Sequence, residues 1–117
     1  MNRKRLSKQE RKLIYDICRG KCAYCGCDIE LKDMQVDHIY PIYRGGEDVL
    51  DNMLPACRSC NHYKSTLTID EFRKHLSGLA NRLYRDNVTY RIGLRYGIIT
   101  TSYKNIQFYY ESIKGEN

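Results

Sequence analysis

The chain has no long apolar run, no internal repeat, no low-complexity tract and no tryptophan. The first absence excludes a membrane-spanning helix, which needs about 20 consecutive apolar residues. The basic start MNRKR leads into LSKQERKLIYDIC, far too charged for the apolar core of a secretion signal, so the chain is expected to be cytoplasmic. No stretch reads as a linker, and residues 1–117 are expected to form one domain. Eleven tyrosines without a tryptophan separate no function classes. Acids are scarce as well: 14 against 20 Lys and Arg, a formal charge of +6. That balance favours an anionic partner, nucleic acid first, although a merely soluble basic protein would share it.

With 117 residues and 42% apolar content, the core is thin and a fold of this size usually needs a staple. In a cytosolic chain, six cysteines point to metal ligands before a disulfide framework. Cys22 and Cys25 form one CxxC pair, Cys57 and Cys60 another. Two such knuckles a few dozen residues apart are a strong zinc signature. Four thiolates match tetrahedral Zn²⁺ and leave no open position for chemistry, so the site is structural and supplies folding energy. A thioredoxin-like reading needs a βαβ context that is missing. Within CAYCGC, Cys27 remains an alternative to Cys22 or Cys25. Cys18 reads as a small buried hydrophobe.

Ser7 with Glu10 three residues on is a capping box, and Leu13, Ile14, Ile17 and Cys18 recur at helical spacing up to Gly20. This predicts a helix from about Lys8 to Arg19. Residues 21–33 read as a knuckle and a short loop, residues 34–43 as extended, and RGGEDVLDN as a polar loop. A short helix is expected through RSCNHYK, after Cys57. Thr68 and Glu71 form a second capping box before a longer helix, with Phe72, Leu76, Leu79, Ala80 and Leu83 on one stripe. VTYRIGLRYGII is partly periodic and reads as helical, whereas NIQFYYESI has the composition of a last strand.

Between the knuckles lies MQVDHIYPIYRGG, with Asp37 and His38 side by side. Neighbours in a strand point to opposite faces, so both can serve one site only if the backbone bends there. The combination CAYC…VDHIYP…GG…DNMLPACRSCNHYK resembles the HNH endonucleases, the ββα-metal nucleases in which zinc knuckles brace the active site. The resemblance covers about residues 20–66, and the helical remainder, about 67–117, lies beyond it. It implies an α+β fold: a small zinc-stapled ββα-metal core with flanking helices, the Asp-His pair closing the first strand. By the same resemblance His38 is the general base, Asp37 a ligand of the catalytic divalent ion, and Asn52 the brace of the intervening loop. The third signature position is Asn61 rather than the commoner His, as in phage junction-resolving enzymes with four zinc cysteines.

The chemistry of those residues agrees. Phosphodiester hydrolysis needs an activated water and a Lewis acid on the phosphate. His38 can be neutral at physiological pH and take the water's proton. Asp37 and the amide oxygen of Asn61 are hard ligands suited to Mg²⁺ or Mn²⁺. Adjacent helical residues point about 100° apart, so His62 stands as the alternative ligand, not an additional one. Lys64, one turn past Asn61, is expected to neutralise a phosphate, with Arg58 and Arg44 as further DNA contacts. The expected partner is double-stranded DNA, and phage packaging or other DNA-processing proteins remain open as associates.

Three classes compete at this point. A metal-dependent DNA endonuclease uses every feature. A non-catalytic zinc-braced nucleic-acid-binding module explains the cysteines and the charge, but gives no reason to keep Asp37, His38 and Asn61 together. A zinc-stabilised protein-interaction domain explains the cysteines alone. The basic, tyrosine-bearing stretch RKHLSGLANRLYRDNVTYRIGLRYG suits contacts to phosphates and sugars, and equally a helical packing arm.

Overall fold

The computed structural model describes residues 5–114, so the first four residues of the basic start lie outside the described residues. The chain divides into two compact units: residues up to Ile69 together with those from Gln107 onward, and Asp70–Ile106 between them. Among the described residues no helix is long and apolar enough to cross a membrane.

The first unit opens with α1 (Lys8–Ile17). Its start is fixed as the sequence predicts: the Glu10 amide donates to the Ser7 hydroxyl over 3.1 Å, and the Ser7 amide to the Glu10 carboxylate over 3.0 Å. It stops two residues before the expected Arg19, because Arg19 and Gly20 both take left-handed backbone, φ 57° and 79°. The apolar stripe is narrower than its spacing suggests. Ile14 and Cys18 are buried, whereas Leu13 and Ile17 are 61% and 46% exposed. Only one side of α1 meets the sheet: Ile14 packs with Met34 and Met53, and Leu6, Tyr15, Ile29 and Val36 close around them. Full burial of a side chain such as Ile14 contributes about 1.5–3 kcal/mol.

The sheet is a single antiparallel pair, β1 (Gln35–His38) and β2 (Met53–Ala56), with Asp37 opposite Leu54 and His38 opposite Met53. Extended structure therefore ends at His38, not at residue 43, and a 3-10 turn over Ile42–Arg44 follows. Every residue of β2 is buried. The Pro55 carbonyl accepts from the Ala23 amide (2.8 Å), which ties the first knuckle to this strand. Pro55 itself offers no amide, and a two-stranded sheet is one of the few that tolerates it.

The loop between the strands is closed by glycine. Gly45 is left-handed (φ 97°). A Cβ on Gly46 would lie 1.9 Å from the Tyr40 carbonyl oxygen, so no other residue fits that turn. The chain then enters α2 (Arg58–Lys64), where the Cys57 side chain caps the first turn by accepting from the Cys60 amide. Ser65 ends α2 in left-handed backbone, φ 50°.

The second unit holds α3 (Ile69–Ser77) from its second residue onward, α4 (Leu79–Asp86) and α5 (Val88–Arg95). The single long helix expected after Thr68 is broken at Gly78, a weak helix former. Arg82 reaches back across the break to the His75 carbonyl, 2.6 Å. Asn87 ends α4 and starts α5, its side chain accepting from the Tyr90 amide. A Cβ on Gly93 would meet Ile99 at 2.4 Å, so the glycine is what lets the chain fold back on α5.

The segment expected to be a last strand is not one. It has no regular structure up to Phe108, which is itself extended, and then forms α6 (Tyr109–Ile113). Its amides at Tyr109 and Tyr110 donate to the carbonyls of Tyr24 and Ala23 over 3.1 and 2.8 Å. Phe108 meets the Tyr24 ring edge-on with centroids 5.3 Å apart. The β-type composition serves aromatic packing on the knuckle, not a ladder.

Candidate active site and metal centre

Four cysteines from two distant segments converge. The ligand atoms of Cys22, Cys25, Cys57 and Cys60 lie within 4.8 Å of one another. For Zn–S bonds of about 2.3 Å, tetrahedral geometry requires S···S separations of about 3.8 Å. Cys25 Sγ and Cys57 Sγ stand 3.9 Å apart. The donor set therefore fits Zn²⁺ in chemistry and in size. A hydrogen bond from Cys60, aided by backbone amides, pulls the Cys22 thiol down to about 4 against the cost of burial. Cys60 is pushed up, first by that same bond. Burial pushes the Cys57 thiol up as well, so Cys22 alone is drawn toward the thiolate, and a bound cation would supply the charge that favours deprotonating the others. Cys27, the alternative ligand, is exposed and lies outside the cluster. Cys18 is fully buried, and burial pushes its thiol up to about 11, as for a small core hydrophobe.

The zinc knuckles bracket β1 and β2, and the Asp-His pair sits where β1 ends. A cleft of about 260 Å³ is lined by Asp37, His38 and Asn61, with Pro41, Ile42 and Tyr43 on the loop side and Ser65 and Thr66 beyond α2. The strand alternation is resolved by the strand's end: Asp37 turns inward and His38, its last residue, reaches toward the loop.

Asp37 is buried, and its Oδ2 accepts from the Tyr24 hydroxyl and pairs with Lys64 Nζ at 3.0 Å. Neither contact falls on Oδ1. Lys64 Nζ also donates to the His38 carbonyl, 3.0 Å. Buried among these acceptors, Lys64 is no surface cation, and the expectation that it would neutralise a phosphate does not hold in this structure. Arg44 and Arg58 are exposed.

His38 Nε2 lies 2.8 Å from Asp48 Oδ1, and among the described residues Nδ1 has no hydrogen-bond partner. Asn52 clamps the loop. Its side-chain oxygen accepts from the Tyr40 amide (2.9 Å), and its amide group donates to the carbonyls of Tyr40 (2.9 Å) and Glu47 (2.8 Å). On α2, Asn61 faces the cleft, whereas the neighbouring His62 is exposed and outside it.

Two residues of this site have no counterpart in the sequence reading, Tyr24 and Asp48. Tyr24 stands in the middle of a zinc knuckle, and a bulky aromatic between ligand cysteines was a usable signal. Burial first, then the Asp37 charge, push its hydroxyl far above the ordinary tyrosine range. Asp48 is one of several polar residues in a loop, and nothing in its spacing distinguishes it.

The family model of the HNH endonucleases matches residues 22–67. Those residues resemble an HNH endonuclease domain. The match takes in the four clustered cysteines, the Asp37-His38 pair, Asn52 and Asn61. No curated protein matches the chain. Among solved structures, the Type II-C Cas9 enzyme from Actinomyces naeslundii is similar at TM-score 0.53 and 24% identity. The likeness covers 64% of this chain but only 9% of that one, and it is a likeness of fold. An HNH core with a zinc-type cluster supports a nuclease-type function for this chain.

Three arginines of the second unit bond to carbonyls within it. Arg73 donates to the Ile106 carbonyl, Arg82 to that of His75, and Arg91 to those of Tyr84 and Arg85. Arg82 and Arg91 thereby cap the ends of the preceding helices, whereas Lys74, Arg95 and Lys104 are exposed.

Proposed function

We propose that the chain is a metal-dependent DNA endonuclease that hydrolyses phosphodiester bonds, with residues 1–117 acting as one nuclease domain. The observation that carries this reading is the shared cleft. Asp37, His38 and Asn61 all line it, and the contacts of the first two fall on Asp37 Oδ2 and His38 Nε2, leaving Oδ1 and Nδ1 for the cleft. Asp37 and Asn61 offer two hard oxygen donors of the kind Mg²⁺ and Mn²⁺ take. When bound, the ion supplies Lewis-acid stabilisation of the phosphate.

His38 takes a proton from a water at Nδ1 while the water oxygen bonds to phosphorus and the opposite P–O bond breaks. Asn52 keeps the loop closed over His38 through its three bonds. Lys64 and Tyr24 hold Asp37 so that its Oδ1 stays aimed into the cleft. Arg44 and Arg58, both exposed, are the first candidates to contact the backbone of double-stranded DNA.

The rival reading, a zinc-braced module that binds nucleic acid without cutting it, takes its support from the ion pair that already engages half of the Asp37 carboxylate. A plasmid-nicking assay in Mg²⁺ separates the two. Wild type should nick, and His38→Ala should lose about 10²–10⁴-fold in rate while keeping zinc and DNA affinity. Equal turnover in the two proteins removes His38 from the mechanism. No turnover in wild type with any divalent ion favours the binding module.

A further inference from the structure

We propose that Asp48 is a positioning residue for His38, fixing the imidazole as the Nε2-protonated tautomer so that Nδ1 is the basic nitrogen facing the cleft. The catalytic consequence rests on the nuclease reading above; the tautomer does not. Asp48 Oδ1 lies 2.8 Å from His38 Nε2, and the two side chains are only 17% and 10% exposed. A carboxylate can only accept, so the ring proton belongs on Nε2 and the lone pair on Nδ1.

The rest of the loop explains how Asp48 comes to be there. Ten residues separate it from His38, and an unbraced loop of that length would not hold one carboxylate on one nitrogen. Here the Gly46 amide closes on the Pro41 carbonyl (2.9 Å), in a turn that has no room for a Cβ. Asn52 then grips Tyr40 on one side and Glu47, the immediate neighbour of Asp48, on the other. The Asn52 clamp thus acts on the histidine through Asp48: it sets the path of the chain at residues 46–48, and that path delivers the carboxylate. The two acids of the site divide the work. Asp37 is held by Tyr24 and Lys64, and Asp48 holds His38.

The test uses the full zinc-loaded chain labelled with ¹⁵N-histidine and no other divalent ion. Long-range ¹H–¹⁵N spectra are recorded where the ring is neutral, with His62→Gln and His75→Gln used to assign the three histidines. Wild type should show His38 protonated at Nε2 alone. Asp48→Ala should give a mixture of tautomers, and Asp48→Asn, which can donate to Nε2, should populate the Nδ1-protonated form. In cleavage assays both variants should lose about 10²-fold or more in kcat with KM little changed, and Asp48→Glu should recover part of it. Unchanged zinc content and circular dichroism separate this from unfolding. An Nδ1-protonated His38 in wild type overturns the proposal, as does wild-type kcat in Asp48→Ala. A wild type that cuts nothing yet shows an Asp48-dependent tautomer supports the positioning role while removing the nuclease reading.

Discussion

Replacing Lys64 by Met removes a buried cation and keeps most of its volume. Lys64 is fully buried and Asp37 nearly so, their side chains 0% and 6% exposed with Nζ 3.0 Å from Oδ2. At that distance and an effective dielectric of about 20, the gross attraction is about 5 kcal/mol. The desolvation of both ions offsets most of it in the wild type, but the variant leaves the carboxylate buried without its cation. Breaking such a pair from one side costs about 3–5 kcal/mol. At about 4 °C per kcal/mol for a chain of this size, the melting temperature should fall by about 12–20 °C. Asp37→Asn removes the other charge, and the double variant should be less destabilised than the sum of the singles by about 2 kcal/mol or more. Urea unfolding at a fixed excess of zinc, followed by circular dichroism, measures all four proteins without confusing metal loss with pair loss. Additivity within about 0.5 kcal/mol, or a Lys64→Met variant as stable as wild type, would refute the buried pair.

Metal analysis after dialysis should find one Zn²⁺ per chain, and Cys57→Ser should lower the melting temperature sharply. Asn61→Ala should weaken Mg²⁺-dependent cleavage while His62→Ala leaves it almost unchanged, and Asn61→His should shift preference toward Mn²⁺, Co²⁺ or Ni²⁺. The reverse pattern in rate against metal concentration would give the ligand role to His62. Tyr24 has its hydroxyl raised, so its contribution is full below the ordinary tyrosine range, about 10, and is lost above it. Urea midpoints against pH should therefore fall more steeply at alkaline pH in wild type than in Tyr24→Phe.

Local chemistry made some of this molecule legible in sequence. The capping box at Ser7, the two CxxC knuckles and the seven-residue α2 all depend on neighbours a few positions away, and each lies where its spacing predicts. What failed depended on partners distant in the chain. Leu13 and Ile17 share a stripe with Ile14 and Cys18, but a two-stranded sheet is too small to cover all four. Phe108 and its neighbours have strand composition, yet the amides that follow Phe108 bond to the knuckle carbonyls and not to a strand. Lys64 was misplaced for the same reason. Its spacing from Asn61 is right for one face of α2, but whether that face meets solvent or Asp37 is decided by β1, 26 residues away. Asp48 could be assigned only once the loop had closed.

The return of the chain at residues 107–110 has a practical meaning. Tyr24, which steadies Asp37, is itself backed by Phe108 and by two main-chain bonds from Tyr109 and Tyr110. Trimming the protein to its recognisable motif would retain all four clustered cysteines together with His38, Asp37 and Asn61. It would also strip one side of the tyrosine that sets the carboxylate. The compact unit that holds the cleft is therefore not a contiguous stretch of sequence, and an inactive fragment without residues 107–110 would say nothing against the chemistry of the residues it contains.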